Sequence, residues 1–159
     1  MHGWRYDRRM TLAGPHRYRA ILAESVPFRG LGPGAMDRVV GPAMLLEATP
    51  GSPVLFEGER SSPGLYVVVE GEVEVYQPRV DGDLRLNLLQ RGDCFGEYSL
   101  IDGKPTSASL RAVSAARLYF LPSGLFQKLV ANDAQAAATI YRNLLVELIA
   151  RLRDMNTAG

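Results

Sequence analysis

Residues Arg91–Ala112 read RGDCFGEYSLIDGKPTSASLRA, and the centre of the stretch is Phe95-Gly96-Glu97-Tyr98-Ser99-Leu100, followed by Pro105-Thr106-Ser107-Ala108. Gly96 lets the backbone adopt dihedrals closed to other residues and come close to a neighbour. Glu97 places a carboxylate directly after it, where a short helical turn can begin. Backbone N–H groups at the start of such a turn have no intrahelical partner and favour an anion. Thr106 and Ser107 add two hydroxyls at the head of a predicted strand. A glycine, a carboxylate, free amides and hydroxyls together suit a ribose and a phosphate.

Upstream of this stretch the apolar residues recur with period two. Met44–Thr49, Pro53–Phe56 and Leu65–Val69 read as strands separated by Pro/Gly breaks. After Gly71, the run Glu72-Val73-Glu74-Val75-Tyr76 alternates strictly, which predicts a half-buried strand with valines inward and glutamates in water. Asp81-Gly82 signals a hairpin turn. Leu84–Leu89 is the return strand, with Leu84, Leu86 and Leu88 expected on one face. Downstream, Leu110–Val113 and Arg117–Leu121 are two more strands around a break at Ser114-Ala115-Ala116. Many short strands with glycine turns predict an antiparallel barrel or jelly roll.

The ends of the chain are helical in pattern. Tyr18, Ile21 and Leu22 predict a short helix over His16–Ser25, stopped by Pro27, and Ala35–Val40 predicts one more turn. Past Pro122, Ser123 is the predicted N-cap of a helix carrying Leu125, Phe126 and Leu129. Asn132 or Asp133 then caps a long helix to about Met155, with Ile140, Leu144, Leu148, Leu152 and Met155 along one stripe widened by Leu145 and Ile149. Arg151 and Arg153 sit in its last turns, where cations suit the helix dipole.

Composition narrows the function. With 159 residues, 47% apolar and 22% charged, the chain suits one soluble domain. A net charge of +1 supplies no field that draws it to nucleic acid or membrane. The single cysteine, Cys94, forms no internal disulfide, which fits a reducing cytoplasm, and reads as a small apolar residue. Residues 1–14 carry Arg5, Arg8 and Arg9 but no apolar segment of the secretory kind, and read as a flexible arm.

The central stretch resembles the phosphate-binding cassette of the cyclic nucleotide-binding domain family, roughly F-G-E-x-[AS]-L, a five-residue spacer, then R-[ST]-A. Phe95, Gly96, Glu97, Ser99, Leu100, Ser107 and Ala108 match, and Thr106 stands where the family has the arginine that pairs with the cyclic phosphate. The run Leu65-Tyr66-x-Val68-x-x-Gly71-x-Val73-x-Val75 and the pair Gly92-Asp93 resemble the family's β-roll. The resemblance implies a mainly β fold with flanking α-helices: an antiparallel, jelly-roll-like β-roll with short N-terminal helices and a long C-terminal hinge and dimerisation helix. It implies an arm over residues 1–14, the roll with its short helices over 15–130 and the lid helix over 131–159.

By the same resemblance, Glu97 accepts from the ribose 2′-hydroxyl and the amides of Tyr98 and Ser99 hold the exocyclic phosphate oxygens. Ser107 occupies the place where cGMP binders put a hydroxyl for the guanine, so cGMP is slightly favoured over cAMP. Phe95, Leu100, Thr106 and Ala108 complete the expected ligand set. The missing arginine should cost on the order of 1.5–3 kcal/mol, about ten- to a hundredfold in affinity. Arg111 reads as structural, Lys104 as solvent-facing, and Tyr141 and Arg142 are candidates for capping the base. The implied role is a sensor that binds a cyclic nucleotide and relays it through the C-terminal helix to an output domain or partner outside this chain, as a homodimer. The alternatives left open are a degenerate pocket on a dimerising scaffold, and another ligand such as cyclic di-GMP.

Catalytic motifs are missing from the sequence. His2 and His16 are its two histidines, both ahead of the strands, so a cupin-type metal site has no ligands. G-x-S-x-G, Walker A and Rossmann patterns do not occur. No enzyme activity, no metal and no bound cofactor are expected. A basic recognition helix is lacking as well, so no direct contact with nucleic acid is expected, nor with a membrane.

Overall fold

The computed structural model describes residues 8–11, 15–41, 44–55, 64–105 and 108–157. In chain order the strands are β1 (Arg8–Thr11), β2 (Met44–Ala48), β3 (Pro53–Leu55), β4 (Gly64–Glu70), β5 (Val73–Gln77), β6 (Leu84–Leu89), β7 (Cys94–Phe95), β8 (Ser109–Ala112) and β9 (Ala116–Pro122). The helices are α1 (Arg19–Glu24), entered through a 3-10 turn at Pro15–Tyr18, α2 (Pro33–Val40), α3 (Glu97–Asp102), α4 (Ser123–Asn132) and α5 (Ala134–Thr157). The strands form two sheets, ordered β1-β2-β9-β4-β7 and β3-β8-β5-β6, and every pairing is antiparallel.

The continuous apolar character of β4 has a simple cause. Leu65, Val67 and Val69 face a core shared with the helices, while Tyr66 and Val68 face the interior of the roll. In the same way β9 sends Tyr119 and Leu121 to the helical side and Leu118 and Phe120 to the roll. Strands covered on both faces lose the alternation that marks a half-exposed strand. Tyr66 and Phe120 stack at 4.7 Å inside the roll, and Phe28 meets Tyr119 edge-on at 5.6 Å on the helical side. The buried Tyr119 hydroxyl donates to the Val39 carbonyl at 2.8 Å, which ties α2 to β9.

Three sequence expectations change here. Part of the stretch read as a flexible arm is strand: β1 pairs with β2 from Arg8 opposite Ala48 to Thr11 opposite Leu45. Pairing of this kind is made by backbone groups at an open sheet edge, and RRMT carries no apolar alternation to announce it. Residues 1–7 and 12–14 of the arm, and Phe56 of the second predicted strand, lie outside the described residues. Along β6, Leu84 and Leu86 are 43% and 48% exposed, and it is Leu89 that is buried. The pairing steps from Val75–Asn87 to Tyr76–Arg85, so a bulge at Leu86 shifts the inward face. Finally, Ser123 is the first residue of α4 with no side-chain cap bond, Pro122 being the N-cap. The cap of α5 is as expected: Asp133 accepts from the Ala136 amide at 3.0 Å.

The junction that sets up the site is β7–Gly96–α3. β7 pairs with β4, Tyr66 opposite Phe95 and Val67 opposite Cys94. Gly96 then takes φ +92°, and Leu100, which donates to the Gly96 carbonyl at 3.0 Å, buries its side chain in the helical core. A Cβ on Gly96 would overlap the Gly64 carbonyl oxygen of β4. Replacement therefore combines left-handed strain with overpacking against backbone. Gly96→Ala should lower stability by roughly 2–4 kcal/mol. Urea denaturation checks this, and a loss within experimental error of zero would contradict the tight junction.

Candidate functional site

α3 presents its first residue to a cavity of about 490 Å³. The roll contributes Val75, Leu86, Leu89, Phe95 and Ala108 to its wall, and the cassette contributes Gly96, Glu97, Tyr98 and Ser99. The remaining wall comes from the far end of α5: Arg151, Asp154 and Met155. The cavity is thus largely apolar toward the roll and polar where α3 faces α5.

Glu97 is the central polar group. Its residue is 7% exposed, and its Oε2 is buried with no partner among the described residues. Arg151 approaches Oε1 at 3.4 Å and the Tyr98 hydroxyl at 3.3 Å, and it forms an ion pair with Glu147 one turn back at 3.6 Å. Burial pushes the Glu97 carboxyl above the ordinary range, with its own backbone amide and Arg151 pulling it partly back. For Arg151, burial opposes the charge, but Glu97, Tyr98 and Glu147 outweigh it and hold the guanidinium firmly protonated. Cys94 also lines the cavity; burial first, then the neighbouring Glu97 charge, raises its thiol well above the usual range, so it stays a protonated, apolar wall.

The structure thus brings Phe95, Gly96, Glu97, Tyr98, Ser99 and Ala108 together around one space. Leu100 is not part of that wall; it anchors α3 in the helical core. Thr106 and Ser107, on which the arginine substitution and the cGMP expectation rest, lie outside the described residues. Arg111 has the expected structural role: it pairs with Glu74 at 3.2 Å and Asp83 at 3.0 Å and lies 4.1 Å over the Tyr76 ring. Lys104 is exposed. Neither Tyr141 nor Arg142 lines the cavity. Tyr141 packs edge-on against Phe126 at 5.8 Å and lines a second, apolar hollow of about 220 Å³ between α3 and α5.

Comparison with known proteins decides the family. The family described as cyclic nucleotide-binding domain matches residues 45–133, which is more than half of the chain. The chain belongs to the cyclic nucleotide-binding domain family. A cAMP-dependent protein kinase regulatory subunit of Mycosarcoma maydis is 31% identical over 98 residues, 62% of this chain and 18% of that protein. The cyclic AMP receptor protein of Thermus thermophilus is 30% identical over 128 residues, 80% of this chain and 57% of that protein. The crystal structure of a cyclic nucleotide-binding domain from Methylobacillus flagellatus KT matches with a TM-score of 0.83 at 25% identity, covering 97% of this chain and 88% of that one. Among the described residues, no helix is long and apolar enough to cross a membrane.

The match to the family model ends at residue 133, just before α5 begins at Ala134. Arg151 is the site residue that sequence reasoning missed. Its signal was available: it lies three residues after Leu148 and four before Met155, on the apolar stripe, where a cation is out of place.

The raised Glu97 carboxyl has a consequence for stability. The folded state holds that proton more tightly than the unfolded chain does. The contribution of Glu97 is therefore most favourable below the ordinary carboxylate range and is lost as pH rises through the raised folded value. Glu97→Gln removes an ionised, buried group and should leave the unliganded protein at least as stable as wild type at pH 7, with the advantage shrinking toward pH 4. Melting curves across that range check it; a lower melting temperature for Glu97→Gln at pH 7 would show that the Arg151 contact outweighs the burial.

Proposed function

We propose that this chain is a regulatory sensor domain that takes a cyclic nucleotide into the cavity between the roll and α5 and relays its presence through movement of α5. The observation that carries the reading is the buried Glu97 carboxylate, with Oε2 unpartnered among the described residues, on the wall of a largely apolar cavity. A ribose 2′-hydroxyl would donate to it, and the amides of Tyr98 and Ser99 would hold the phosphate oxygens. The base would lie against Val75, Leu86, Leu89 and Phe95, under Met155. Both relatives named above carry cyclic AMP in their names, and Ser107 favours cGMP slightly, so the reading takes either nucleotide as ligand. Binding shifts the population of α5 positions by no more than its differential affinity for the closed state. The output domain or partner, a cytoplasmic setting and the absence of catalysis belong to the same reading.

A second copy of the chain is part of the proposal. α5 buries Ala136, Ala137, Ile140 and Leu144 against its own domain. Beyond that, Leu145, Val146, Ile149, Leu152 and Met155 stand exposed, Met155 at 72%. This stripe suits a parallel partner helix and supports a homodimer. Ile149→Glu should shift the sedimentation profile from dimer to monomer; a wild-type chain that sediments as a monomer at high micromolar concentration would contradict the dimer.

Isothermal titration calorimetry with cAMP, cGMP and cyclic di-GMP tests the sensor reading. Saturable binding of cAMP or cGMP is expected, weakened about tenfold or more by Glu97→Ala. Thr106→Arg should raise affinity, by up to about a hundredfold. Absence of heat with all three ligands would favour a dimerising scaffold, and binding of cyclic di-GMP alone would move the site to a different ligand class.

A further inference from the structure

We propose that Arg151 is the cation that meets the ligand's phosphate, so that the charge absent at position 106 is supplied by the helix that closes the site. This rests on the reading of the cavity as a cyclic nucleotide site. Among the described residues, Arg151 is the only cationic side chain on the cavity wall, where Glu97 and Asp154 both place carboxylates. Two carboxylates and one guanidinium leave an excess of negative charge. A cyclic phosphate, itself an anion, enters such a space more readily where a cation can turn to it and add to the Tyr98 and Ser99 amides.

The geometry of Arg151 allows that turn. Its Nη1 contacts to Glu97 and Tyr98, at 3.4 and 3.3 Å, are long for charge-assisted hydrogen bonds, which usually close to about 2.7–2.9 Å. Nε faces Glu147, and Nη2 has no partner among the described residues. A guanidinium carries donors enough to keep one carboxylate and take a second oxyanion in the same plane. In a 3′,5′-cyclic nucleotide the phosphate ester begins on the ribose carbon next to the one bearing the 2′-hydroxyl. A ribose whose 2′-hydroxyl sits on Glu97 therefore brings its phosphate beside the group already facing Glu97. Ligand affinity and the position of α5 then depend on one side chain.

Competition titrations with wild type, Arg151→Ala and Arg151→Gln test this, using cAMP and cGMP against their uncharged counterparts adenosine and guanosine. Both variants are expected to weaken the cyclic nucleotides about tenfold or more while leaving the nucleosides within about twofold. Arg151→Lys should recover part of the loss, because a point charge replaces the fork. Equal loss of cyclic nucleotide and nucleoside would assign Arg151 a packing role and overturn the proposal. Tighter cyclic nucleotide binding in Arg151→Ala would show that the guanidinium competes for Glu97, and would overturn it as well. If wild type binds none of the four, the cavity reading itself fails; if wild type binds and the variants bind alike, only the role of Arg151 fails.

Discussion

Glu97 holds a carboxylate out of water at the first turn of α3, and Arg151 faces it across the cavity at 3.4 Å. Removing a carboxylate from water costs several kcal/mol after relaxation, and a guanidinium at that distance offsets part of it. The remainder is a standing cost in the unliganded state, visible in the raised carboxyl and in the unpartnered Oε2. On the proposed reading, a bound molecule repays that cost. A hydroxyl donor on Oε2 would complete the hydrogen bonding and stabilise the folded state in proportion to its occupancy. The same pair links two parts of the chain 54 residues apart, so whatever happens at the carboxylate is felt at the end of α5.

The fold keeps the two partners on supports of different stiffness. Glu97 sits on a junction locked by β7 pairing with β4, by the left-handed Gly96 and by the buried Leu100. Arg151 sits on the half of α5 that lacks such anchors. The first turns of that helix are held by Ala136, Ala137, Ile140 and Leu144, together with Asn143, which donates to the carbonyls of Pro27 and Arg29 at 3.0 and 2.8 Å. After them the helix presents exposed apolar side chains and touches the site through Arg151, Asp154 and Met155. A rigid acceptor facing a loosely held donor is the arrangement in which binding can select among helix positions.

Much of this was legible in the residues. The alternation Glu72–Tyr76 gave its strand and put Val73 and Val75 on the core face, but Glu74 on the other face is covered by Arg85 and Arg111 instead of standing in water. Phe95-Gly96-Glu97 marked the junction that lines the cavity, since Gly96 needs a left-handed φ and a close approach to the Gly64 carbonyl. What escaped was non-local. β1 is held by backbone pairing that no side chain advertises, and the bulge at Leu86 turned over a face that period two alone predicts wrongly. Arg151 was read as a complement to the helix dipole, because its partner lies in a distant segment and only the packing of α5 on the roll brings them together.

Amide hydrogen exchange along α5, with and without saturating cAMP or cGMP, tests the link between carboxylate and helix most directly. The account predicts that exchange in the last turns, Glu147–Thr157, slows on ligand binding, and that the change is lost in Arg151→Ala. Ligand binding that leaves those amides exchanging at the unliganded rate would contradict it.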